Sequence, residues 1–169
     1  MKSTDANMEQ FEEIFYDDNT LITKPGDDWS KILKSELAKL NASGKTVIIT
    51  DSYLYNSHGD ESYIVAVIDI LKSLRAKKII YTPRRSGFDL TMEKRVIAEL
   101  NTQGCAYERK KLKNTCKIHD RYWLCLENDL AIDVGASLNG IAKSVSRISL
   151  FSPEEVAELK RILQSEKVI

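Results

Sequence analysis

Residues 117–124 of this chain read Lys-Ile-His-Asp-Arg-Tyr-Trp-Leu, and a glycine turn, Gly135-Ala136-Ser137-Leu138-Asn139, follows shortly after. In an extended strand successive side chains alternate faces, so His119 and Arg121 are expected on one face and Asp120 on the other. A neutral imidazole beside a guanidinium suits phosphate chemistry. The ring nitrogen can attack phosphorus while the fork of N–H donors holds the phosphate oxygens. Ser137 and Asn139 would add a hydroxyl and an amide donor from the turn. The purely structural alternatives are a strand histidine satisfied by the backbone or by Asp120, and a turn whose side chains cap the next segment.

The elements that must position these residues can be read from hydrophobic spacing. Asp27-Asp28 precedes Trp29, Ile32, Leu33, Leu37 and Leu40, an amphipathic helix with acids at its positive end and Gly44 as its stop. The β-branched run Thr46–Thr50 predicts a buried strand that ends at Asp51-Ser52-Tyr53. A polar loop containing His58, expected in solvent, leads to a helix over 60–75 and then a strand over 78–82. After the loop Pro83-Arg84-Arg85-Ser86-Gly87, a helix over 89–102 directs Leu90, Val96, Ile97 and Leu100 inward, with Gly104 past its end.

Strands are expected over 105–110 and 116–126, the second with Tyr122 and Trp123 as core or interface aromatics. Glu127-Asn128-Asp129 reads as a turn into 130–134, and a last strand covers 145–151. Ser152-Pro153-Glu154-Glu155 then starts a helix that buries Val156, Leu159, Ile162 and Leu163. Parallel strands with crossover helices, followed by antiparallel pairing, define an α/β fold: a mixed β-sheet flanked by helices.

The length of 169 residues suits one domain over 19–169, preceded by an acidic arm over 1–18. The arm carries Phe11, Phe15 and Tyr16 and is suited to docking on a protein partner. The chain has no net charge, but its charges are unevenly spread. Residues 1–28 hold eight acids against Lys2 and Lys24, whereas residues 75–121 hold thirteen bases against five acids. That second excess runs into the His119 segment and favours an anionic ligand there; a solvated mixed surface is the plain alternative. Cys105, Cys116 and Cys125 lack metal-ligand spacing and read as small buried apolar groups in a reducing compartment. Neither a signal peptide nor a long apolar span is present, so a cytoplasmic protein without a transmembrane segment is expected.

These residues resemble the phospholipase D-like superfamily, whose signature runs His-x-Lys-x4-Asp-x6-Gly-Ser-x-Asn. The likeness follows element order over residues 29–163, but its specific part is short. His119 matches the nucleophile, Ser137 and Asn139 match the Ser-x-Asn end, and Gly135 approximates the glycine with Ala136 inserted. Arg121 stands where the family has lysine, keeping the charge and adding a bidentate fork. The family aspartate is absent, because position 126 is Leu126. The chain therefore resembles a divergent His-Asp-Arg branch, and Asp51-Ser52-Tyr53 resembles an Asp-Pro-Tyr feature of such domains.

The resemblance implies a phospholipase D-like fold and a metal-independent phosphodiesterase, foremost a nuclease, that works through a phosphohistidine at His119 and needs no cofactor. One chain carries one motif, and single-motif members complete the site as two-fold homodimers. Arg84, Arg85, Lys110, Lys111, Lys113 and Lys117 would grip the backbone of nucleic acid or another phosphodiester ligand. The alternative is a non-catalytic module that binds nucleic acid, a phospholipid headgroup or a protein. Small domains of this type also resemble those linked to microbial defence.

Overall fold

The computed structural model describes residues 19–55, 60–83, 89–113, 115–116, 118, 121–135, 138 and 145–169; the acidic arm lies outside them. The elements run β1 (Thr20–Thr23), α1 (Trp29–Ala38), β2 (Thr46–Thr50), α2 (Glu61–Ser73), β3 (Lys78–Tyr81), α3 (Leu90–Asn101) and β4 (Ala106–Arg109). They continue with β5 (Tyr122–Cys125), β6 (Leu130–Val134), β7 (Ser146–Leu150) and α4 (Pro153–Ser165). All seven strands join one sheet in the order β1-β7-β6-β5-β2-β3-β4. Strands β2, β3 and β4 are parallel, and the other pairings are antiparallel. The α/β class and mixed sheet expected from the pattern are both present.

Strand alternation builds two cores. Val47, Ile49, Ile79, Tyr81, Trp123 and Ile132 join one core with residues of α1, α2 and α3. Their neighbours Ile48, Ile80, Leu124 and Ala131 point to the other face and pack with Val156, Leu159 and Leu163 of α4. With both faces covered, β2 is buried along its whole length, which suits its β-branched Thr-Val-Ile-Ile-Thr sequence. The helix starts follow local chemistry. Asp28, Asp60 and Asp89 each accept an N–H of the first turn, and Ser152 with Glu155 forms the reciprocal capping box.

Three local expectations change. The strand expected from 116 begins only at Tyr122; Cys116 and Ile118 instead fill the α4-side core without pairing. Arg121 still carries one ladder bond, its carbonyl accepting from the Val134 N–H at 2.8 Å. Leu90, expected inward, is exposed at the first turn of α3, and Met92 takes the inward place. Strand β1 was not anticipated. All three cysteines are free and buried.

Candidate functional site

Strand β2 is where the parallel and antiparallel halves meet, with β3 on one flank and β5 on the other. The chain leaving β2 turns toward the α1–α3 side, where Leu54 and Tyr55 are buried. The chain approaching β5 comes from the α4 side, where Leu112, Cys116 and Ile118 are buried. Divergence of segments to opposite faces at the carboxyl ends of parallel strands marks the usual ligand position in open α/β sheets.

Thr50 sets the register at this point. It pairs with Tyr122, its hydroxyl accepting the Tyr122 N–H at 2.9 Å and donating to the Tyr122 carbonyl at 3.3 Å. The residues just beyond, Asp51 and Arg121, are thereby brought together. Arg121 Nε lies 3.6 Å from Asp51 Oδ1. The guanidinium carbon also sits 5.3 Å from the centroid of the Tyr53 ring, within cation–π range. The Tyr53 N–H donates to Asp51 Oδ1 at 2.8 Å, closing a short turn at the strand end.

The Asp51 side chain is 0% exposed, and its Oδ2 has no hydrogen-bond partner among the described residues. Burial pushes its carboxyl up to about 6, against the lowering effects of the Tyr53 N–H and the Arg121 charge. Desolvation therefore outweighs the ion pair, which is too long to be a hydrogen bond. Tyr63 of α2 and Tyr81 of β3 share this environment; burial raises both phenols, and the Asp51 charge raises them further. The Tyr63 hydroxyl is satisfied by the Leu54 carbonyl at 2.9 Å.

Of the residues singled out from sequence, His119, Ser137, Asn139, Arg84, Arg85 and Lys117 lie outside the described residues, as do Asp120 and His58. Arg121 stands at these strand ends, beside Asp51 and Tyr53. Gly135 lies just past β6, and a Cβ there would meet the Arg147 carbonyl oxygen at 2.9 Å. Close approach of β6 and β7 thus accounts for this glycine structurally. Leu138 is buried in the α1–α3 core.

The basic residues divide. Lys111 is exposed. Lys110 Nζ donates to the Val168 carbonyl at 2.9 Å and pairs with Glu108, while the Lys113 N–H donates to Glu166. Lys77, Lys78, Arg95 and Arg109 pair with Glu127, Glu108, Glu61 and Glu93. Much of the basic excess in this stretch is thus answered by nearby acids. A groove of about 410 Å³ is lined by Ile118, Tyr122, Phe151 and Leu159, among others. Its Glu154 and Glu158 make it unsuitable for a phosphate chain.

Sequence reading missed Asp51 as the partner of Arg121, Tyr53 as its platform and Thr50 as the register clamp. The Asp51-Ser52-Tyr53 strand end was visible, but its partner just precedes β5, with β3 and β4 intervening in the chain. Among the described residues, no cluster of His, Cys, Asp and Glu is arranged to hold a metal ion. No described helix is long and apolar enough to cross a membrane.

No family model and no curated protein matches this chain. Among solved structures, polyphosphate kinase from Porphyromonas gingivalis shares its fold, with a TM-score of 0.51 and 13% identity. The match covers 98% of this chain but only 28% of that one. TrmBL2, an archaeal chromatin protein whose structure shows a novel mode of DNA binding, aligns at a TM-score of 0.43 and 12% identity. That alignment covers 95% of this chain and 60% of the other, and the score is too low to carry an argument. The fold and this pair define an α/β protein with a mixed sheet and an aspartate beside an arginine at its strand ends.

Proposed function

We propose that this protein acts on a phosphate ester as a phospholipase D-like, metal-independent phosphodiesterase, with nucleic acid as the substrate class. The observation that carries the reading is Arg121, placed at the strand ends beside Asp51 and Tyr53 and two residues after His119 in sequence. The fold shared with a protein named polyphosphate kinase supports phosphate as the reacting group.

In this reading Arg121 binds the phosphate oxygens, and Ser137 and Asn139 add neutral donors. A His119 ring nitrogen attacks phosphorus, and the P–O bond to the leaving group breaks as the N–P bond forms. The departing oxygen takes its proton from the His119 of a two-fold related copy, so the working unit is a homodimer of the 19–169 domain. Water then attacks the phosphohistidine and restores the imidazole. Arg84, Arg85, Lys111, Lys113 and Lys117 steer the polyanion, and the acidic arm is left to dock a protein partner.

The test is cleavage of single- and double-stranded DNA and RNA in EDTA by the parent and by His119→Ala. The parent is expected to cleave, and the variant to lose at least about a thousandfold in rate. Equal activity in the two would reject the mechanism.

A second reading is a non-catalytic phosphate-binding module. It is favoured by the charge of Arg121 already facing a buried carboxylate and by Leu126 standing where the family has an acid. It predicts salt-dependent nucleic-acid binding, no turnover and no phosphohistidine after mixing with substrate.

A further inference from the structure

We propose that Asp51 is the positioning residue for Arg121, fixing the guanidinium by its Nε edge so that the two Nη nitrogens face an anion. The inference rests on the proposed phosphate-binding role of Arg121 and names a residue of that site on a different strand.

Four observations converge on it. Asp51 Oδ1 is the carboxylate oxygen nearest Arg121 Nε, at 3.6 Å. Tyr53 closes on both partners, its N–H donating to that same oxygen and its ring lying under the guanidinium. Nε is sealed from solvent and makes no hydrogen bond among the described residues, so the Asp51 charge is what stands against it. Finally, Asp51 retains a buried oxygen, Oδ2, without a hydrogen-bond partner among them.

A turn at the end of β2 requires only one side-chain oxygen to accept the Tyr53 N–H. Asparagine would supply it without burying a carboxyl group. The carboxylate costs desolvation, and what it adds is attraction for Arg121, the cation beside it among the described residues. A carboxylate charge beside Nε leaves the Nη edge of a guanidinium for bidentate recognition of a tetrahedral oxyanion. Position 126 holds Leu126, so the acid of this site comes from β2 instead.

Two physical effects of neutralising Asp51 have opposite signs, and this makes the proposal testable. Coulomb's law alone predicts that Asp51→Asn binds anions more tightly, because a negative charge near the site is gone. Positioning predicts weaker binding, because the guanidinium is no longer fixed.

The experiment titrates inorganic sulfate, divalent at all working pH values, into the full chain at pH 7.5. Binding is followed at the Arg121 Nε–H resonance in ¹⁵N-labelled protein. Arg121→Gln, followed at the neighbouring amides, is the control for the site itself and is expected to abolish the response. If Arg121→Gln binds sulfate like the parent, the phosphate-site reading fails, and this proposal with it. If the control behaves as expected, Asp51→Asn should weaken binding about tenfold and broaden or shift the Nε–H signal in the free protein. Sulfate binding by Asp51→Asn that is equal to the parent's or tighter would overturn the positioning role alone. Melting curves guard against a folding artefact: Asp51→Asn is expected to be at least as stable as the parent.

Discussion

Glu127, in the turn between β5 and β6, and Asp51, at the end of β2, are carboxylates at opposite ends of the same central strand. Glu127 accepts the Thr46 N–H at 2.8 Å and the Thr46 hydroxyl at 3.1 Å, and pairs with Lys77 at 2.8 Å. Partial burial would raise its carboxyl, but these donors outweigh it and hold the group down to about 2. Asp51 is fully buried, has one hydrogen bond and a long ion pair, and is pushed up to about 6. The same functional group thus stabilises one end of the sheet and strains the other. A carboxylate with every lone pair answered is architecture, whereas one kept buried and partly unanswered beside a cation marks a candidate site.

The largest effect should come from Asp51→Asn. A carboxyl raised on folding favours the protonated native state. Its contribution is full below the unfolded value of 3.8 and is lost as pH rises through about 6. Asp51→Asn should therefore gain about 1–3 kcal/mol over the parent at pH 7.5, with the difference opening between pH 4 and pH 6. Urea denaturation at both pH values checks this. A variant less stable than the parent at pH 7.5 would mean that attraction to Arg121 exceeds the burial penalty.

Next is Gly135→Ala at the same end. The added methyl meets the Arg147 carbonyl oxygen at 2.9 Å, so thermal unfolding should show a loss of about 1–2 kcal/mol. An unchanged melting temperature would show that the β6–β7 approach is not tight.

At the opposite end, Glu127→Gln should lose about 1 kcal/mol at pH 7. Here the sign reverses. The parent's advantage is present above about 4.5 and fades as pH falls toward about 2. Opposite pH dependences for Asp51→Asn and Glu127→Gln are the sharpest form of the comparison. The smallest effect is expected from Asn128→Ala, which removes side-chain hydrogen bonds to the carbonyls of Leu40 and Asn41. A loss of about 0.5–1 kcal/mol in the same assay is expected.

How much of this was legible in the sequence follows from the range of each interaction. The Thr46–Thr50 strand, the acids at the start of α1, the Ser152 cap and the Glu127–Asp129 turn are set by neighbours within a few residues. Pattern alone was enough for them. Strand β1 escaped because Thr-Leu-Ile-Thr is short and gains its structure by pairing with β7 at the far end of the chain. Cys116 and Ile118 read as strand because they are apolar and close to Tyr122, yet burial under α4 satisfies them without a ladder. The basic excess over 75–121 pointed to an anion. The pairings of Lys77, Lys78, Arg95 and Arg109 depend on acids that only the fold brings near. Arg121 could be singled out from its own segment. Asp51 could not, because nothing in its own neighbourhood announces a partner on another strand.

The central claim is that phosphate binds at the Asp51–Arg121 end of the sheet and not at the Glu127 end. Backbone amide NMR of the full chain during titration with pyrophosphate tests it directly. The account predicts progressive shifts at Asp51, Tyr53, Arg121 and Gly135, with Thr46, Glu127 and Asn128 unmoved. Shifts concentrated around Thr46 and Glu127, or none anywhere at millimolar pyrophosphate, would contradict it.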